Sequence, residues 1–131
     1  MNKKTALAIL KSRDPSQLTD EAAILILLMK YKGELSRNSI NLLWDYGMGC
    51  PFCELHGETI QEHCLTGALP CPWVRFHPIK YGKYKIGRYS CEAWSHSEIK
   101  TNIKQLGAHP EALAKRIAML KDWLKRVRKG E

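Results

Sequence analysis

Residues 19–33 read TDEAAILILLMKYKG. Thr19 offers a hydroxyl to an open first-turn amide, and Asp20 and Glu21 place negative charge at the positive end of the helix dipole. From Ala22 to Met29 every residue is apolar, so a helix running to about Lys32 has no polar face to turn towards water. An apolar run of eight is far below the roughly twenty residues that span a bilayer. The segment therefore reads as the most buried helix of a mainly α domain. Gly33 ends it.

The flanking sequence supplies its cover. A short helix fits Lys3 to Ser12 and stops before Asp14-Pro15, because the residue ahead of proline avoids helical angles. Ser36 caps a third helix that places Ile40, Leu43 and Trp44 on one face. LLMKYKGELSRNSINLLW, residues 27–44, fits a helical hairpin that closes a core. It also suits a helix-turn-helix, although the second helix would offer a base pair only Arg37, Asn38 and Asn41. Towards the C-terminus, Ser95-His96-Ser97-Glu98 forms a capping box ahead of Ile99, Ile103 and Leu106, with Gly107 as the stop. Pro110-Glu111 then opens a long helix to about Lys129. Its apolar stripe is Leu113, Ile117, Leu120, Leu124 and Val127, widened by Met119 and Trp123. The opposite side carries Lys115, Lys121, Lys125, Arg126, Arg128 and Lys129.

A chain of 131 residues with 44% apolar and 26% charged residues has the composition of one ordinary globular domain. It divides into a helical part (1–49), a cysteine-rich centre (50–94) and a C-terminal helical hairpin (95–131). The net charge is +8, and residues 98–131 alone hold nine bases against four acids. An excess of this kind favours polyanionic partners. In MNKKTALAILK the apolar stretch is cut off by Lys11 and offers no secretory core, so a cytoplasmic protein without membrane partners is expected.

Everything chemically unusual lies between Met48 and Ser97. Cys50-Pro51-Phe52-Cys53 is followed by Cys64, Cys71 and Cys91, with His56, His63, His77 and His96 close by in sequence. Five cysteines in a reducing compartment do not make a disulfide framework. Two thiolates two residues apart can chelate one tetrahedral ion, and structural zinc is the cofactor this pattern favours. The centre is rich in glycine and proline and poor in apolar periodicity, so a metal would organise it. Cys50, Cys53, Cys71 and Cys91 form the expected ligand set. Cys71 stands on a turn between Pro70 and Pro72, and Cys91 closes the segment just ahead of a capped helix. Cys64 is the spare thiol, and His63 or Cys64 could replace one of the four. Three rivals are weaker. A redox CxxC needs a strand before it, an iron–sulfur cluster uses more compact runs, and unligated thiols can simply be buried in a core.

CPFC, then Cys64 with Cys71-Pro72-Trp73, then an isolated Cys91 ahead of helices ending ALAKRIAMLKDWLKRVRK, resembles a recurring type of small cysteine-rich phage and prophage protein. The resemblance covers residues 48–129. It implies a metal knuckle and a phage or mobile-element origin, and it implies no activity. The chain departs from that pattern in the six residues between Cys64 and Cys71, where the pattern has two, and in its longer helical first third.

No acidic residue occurs between Glu62 and Glu92. That window holds Arg75, His77, Lys80, Lys83, Lys85 and Arg88, interleaved with Trp73, Phe76, Tyr81, Tyr84 and Tyr89. Cations to neutralise phosphate and aromatics to stack on bases make up a nucleic-acid surface. YGKYKIGRY could equally be a short β-hairpin packing against the knuckle. With Lys125, Arg126, Arg128 and Lys129 of the last helix added, nucleic acid becomes the leading partner.

The expected protein is thus a small helical domain around a central irregular zinc knuckle, non-enzymatic, and nucleic-acid-binding or regulatory. The alternative is an adaptor or inhibitor that binds a host or phage enzyme and carries a purely structural zinc. Catalysis is disfavoured because four thiolates leave zinc no open position, and the chain has no phosphate loop, nucleophile elbow or HExxH. Glu54, Glu58 and Glu62 would share one helical face and are expected to face solvent.

Overall fold

The computed structural model describes residues 1–43, 51–56, 72, 76 and 110–131. In chain order these form α1 (Lys3–Ser12), a 3-10 turn (Pro15–Gln17), α2 (Asp20–Tyr31), α3 (Arg37–Leu42), α4 (Pro51–His56) and α5 (Pro110–Arg128). No strand occurs among the described residues. The expected hairpin at 81–89 and the capping-box helix at 95–106 lie outside them.

The central helix forms where the sequence puts it. Thr19 accepts a hydrogen bond from the Ala22 amide at 3.2 Å, and Asp20 and Glu21 occupy the first turn. Gly33 takes φ 71°, its amide donates to the Lys30 carbonyl, and the Glu34 amide donates to the Met29 carbonyl. That pair of bonds is a Schellman closure, and the left-handed angle it requires is strained for any residue with a Cβ. Every residue from Ala22 to Met29 is buried, as is Tyr31. Each large side chain among them contributes about 1.5–3 kcal/mol relative to exposure, so covering this helix is the principal source of stability.

Three helices pack directly on α2, and α3 joins the core against α1. α1 packs on α2 through Ala6, Ile9 and Leu10, and also touches α3. α3 is capped by Ser36, whose hydroxyl oxygen accepts from the Ser39 amide, and Leu35 and Leu43 on either side of it are buried. α4 rests on α2 with Phe52 fully buried. α5 makes the most extensive contact with α2. Arg116 meets Tyr31 at one end of that contact and Arg128 meets Glu21 at the other, so the two helices run antiparallel.

One feature departs from expectation and a second was not anticipated. The stretch beginning at CPFC is not irregular throughout, because Pro51–His56 is helical. Pro51 occupies the first helical position, where its fixed φ fits and its missing N–H is no loss, and burial of Phe52 holds the turn in place. The second is Arg116. It lies on the apolar side of α5 and is 1% exposed. Its Nη1 donates to the Tyr31 hydroxyl oxygen at 3.0 Å, and its guanidinium carbon lies 5.8 Å from the Tyr31 ring centre. A buried cation is tolerable only with such partners.

The chain ends are pinned by charge. The Met1 ammonium lies 3.1 Å from Glu21, Arg128 lies 3.7 Å from the same carboxylate, and Arg128 Nη2 donates to the Met1 carbonyl at 2.9 Å. Lys3 reaches Glu34 at 2.8 Å, beyond the other end of α2. The hydrogen bond from Lys3 is the main reason the Glu34 carboxyl is held below its ordinary range.

Tyr31→Phe keeps the ring beside Arg116 and removes only the oxygen that accepts its proton. It should lower stability by about 2 kcal/mol, the scale of a buried hydrogen bond to a charged group, as measured by urea unfolding. Phe at this site without loss of stability would show that the hydroxyl contributes nothing.

Because Glu34 binds its proton less readily when folded, its contribution is fully present above the unfolded carboxyl range. It is lost as pH falls through the lower, folded value. Carboxyl NMR titration should find Glu34 below an ordinary glutamate, and Lys3→Ala should move it back up.

Candidate functional site

The expected centre has two parts, the cysteines and the basic surfaces. Cys53 falls on α4, immediately after the buried Phe52. Cys50, Cys64, Cys71 and Cys91 lie outside the described residues, and so does His63. Among the described residues no group of three or more His, Cys, Asp or Glu side chains converges as a metal site.

What is described is how the cysteine-bearing segments are rooted. Pro51 and Phe52 are fully buried between Cys50 and Cys53. Pro72, the neighbour of Cys71, is also fully buried. Its carbonyl accepts from the Phe76 amide at 3.0 Å, which closes a turn. The Phe76 ring lies 6.3 Å from that of Trp123 at an interplanar angle of 36°, within the range of favourable aromatic pairs. Two cysteine-bearing stretches, 19 residues apart as measured between Phe52 and Pro72, therefore grow from one apolar core. The sequence signal was the proline beside each cysteine, but which aromatic would meet Phe76 was not legible.

The expected basic residues divide. Arg75, Lys80, Lys83, Lys85 and Arg88 lie outside the described residues. Of the α5 set, Lys125 and Lys129 are exposed. Arg126 is instead held by Asp122 at 3.1 Å, and its guanidinium carbon sits 5.3 Å from the Phe76 ring centre. Arg128 is held by Glu21 and the Met1 carbonyl. Both arginines were expected to face solvent; Arg128 is exposed and Arg126 half-buried, and each also holds a surface ion pair. Lys121, left out of the expected contact set, is exposed on the same side as Lys125. On α3, Arg37, Asn38 and Asn41 are exposed, on a helix of only six residues.

No helix among the described residues is long and apolar enough to cross a membrane. No family model, curated protein or solved structure matches the chain.

The cysteine pattern predicts about one zinc per chain by native mass spectrometry. Serine at Cys50, Cys53, Cys71 or Cys91 should abolish tight binding, because serine is a poor ligand at neutral pH. Cys64→Ser should keep the metal and cost about 1–2 kcal/mol in stability. Metal lost with Cys64→Ser but kept with Cys71→Ser or Cys91→Ser would overturn the assignment.

Proposed function

We propose that the chain is a small phage or mobile-element protein that uses a structural zinc and binds nucleic acid in a regulatory, non-enzymatic role. The observation that carries this reading is the meeting of the cysteine-rich segment with the basic helix. Phe76, five residues after Cys71, packs beside Trp123 of α5 and under the guanidinium of Arg126. The net charge of +8, concentrated in the last 34 residues, supports a polyanionic partner. In this reading zinc organises the centre and chemistry on a substrate is absent, since four thiolates close the coordination sphere.

The test is fluorescence anisotropy with a labelled oligonucleotide over a range of salt. Affinity should fall steeply as salt rises, because each neutralised phosphate releases condensed counterions. Chelation of the metal should weaken binding while α1, α2 and α5 keep their far-ultraviolet helical signal. Absence of binding to any oligonucleotide at low salt, with a protein complex that survives nuclease treatment, would replace this reading with that of an adaptor.

A further inference from the structure

Of the six basic residues that the sequence puts on the outward side of α5, two already hold partners near its C-terminal end. Arg126 is engaged with Asp122 and stacked on Phe76, and Arg128 is engaged with Glu21 and the Met1 carbonyl. What remains open at this end of the helix is Lys121, Lys125 and Lys129, all exposed and spaced at four-residue intervals. Four residues are about one turn, so the three ammonium groups form a single row about 12 Å long. Ahead of them on the same side, Ala114 and Ala118 are exposed and offer neither charge nor bulk.

We propose that this lysine row is a docking surface for the phosphate backbone of nucleic acid, and that it holds the backbone without reading sequence. The proposal rests on the nucleic-acid reading above and specifies how α5 would take part in it. The charge is complementary, and a duplex presents one negative charge per roughly 1.7 Å of axis, so 12 Å of helix faces several phosphates at once. The chemistry of the row argues against base recognition. An ammonium is a compact point charge, whereas the bidentate pairing that distinguishes guanine requires the guanidinium fork, which the row itself lacks. A lipid surface fits less well. Membrane-lying helices turn their apolar face into the bilayer, but Leu120 and Trp123 of α5 are buried in the protein core.

The experiment measures anisotropy of a labelled 20-base-pair DNA duplex against salt for the full chain and for K121Q/K125Q/K129Q. The variant should bind more weakly, and its log–log salt slope should be shallower by about 0.9 per lysine, or about 2.7 in all. Each single Lys→Gln substitution should remove about one third of that, which keeps the test valid if the triple variant folds poorly. A second duplex of scrambled sequence should bind within about twofold and lose the same slope, as expected for phosphate contacts alone. Zinc content and thermal melting of the variants should match the parent, because the three lysines are exposed. If the parent binds and the triple variant keeps both affinity and slope, the row is not the docking surface and the nucleic-acid reading stands without it. If the parent binds no duplex or single strand at low salt, both fail. A tenfold preference between the two duplexes that the variant abolishes would overturn the sequence-independent role. Retention on vesicles of anionic phospholipid without binding to DNA would overturn the choice of partner.

Discussion

A helix without a polar face has to be surrounded, and that requirement organises the rest of this molecule. From Ala22 to Met29 every side chain of α2 is removed from water, so no orientation of the helix could leave one side on the surface. A single neighbour covers about one side of a helix, and α1, α4 and α5 each pack on α2, with α3 against α1. The short elements follow from the same demand. α3 and α4 are six residues each and are too short to be stable alone. They persist because Leu43, just after α3, and Phe52 of α4 are buried in the shared core.

Arg116 has to be understood within that enclosure. A guanidinium on the apolar side of α5 is costly to bury, and replacing a buried polar pair with hydrophobic residues is often neutral or stabilising. Its pairing with the Tyr31 hydroxyl fixes the lengthwise position of α5 on α2, since one turn of slippage would separate donor from acceptor by about 5 Å. At the other end, Arg128 on Glu21 fixes the same register from the surface. Interdigitated apolar side chains already favour one register, and the two arginine contacts agree with it at either end of the helix pair.

Much of the helical frame was legible in the sequence because its signals are local. The Thr19 cap and the Gly33 stop bound α2 to within a residue, and Pro110 marks the start of α5. Ser36 caps α3 as expected. What escaped was long-range. Arg116 occupies a core position by helical spacing, with Leu120 and Trp123 at i+4 and i+7, but no local pattern pairs it with Tyr31, 85 positions away. The Asp122–Arg126 pair is local, at i,i+4, but the contact of Arg126 with Phe76 and of Arg128 with Glu21 joins residues 50 and 107 positions apart, which no local pattern connects. For the candidate centre, spacing pointed to cysteines as ligands but carried no information about how their segments are attached to the core.

That attachment changes what a metal would have to accomplish. Closing a flexible loop of about 20 residues costs roughly 2–3 kcal/mol of chain entropy beyond a constant term. A zinc ion that gathered its ligands from an unattached segment would have to meet that cost from its own binding energy. In this chain Pro51 and Phe52 at one end, and Pro72 and Phe76 at the other, are already held by the core that covers α2. The closure is therefore supplied by apolar packing. On the proposed reading, zinc would act on ends that are already rooted. The same rooting ties that segment to α5 through Trp123 and Arg126, so a change in coordination at the centre would be felt first along the basic helix.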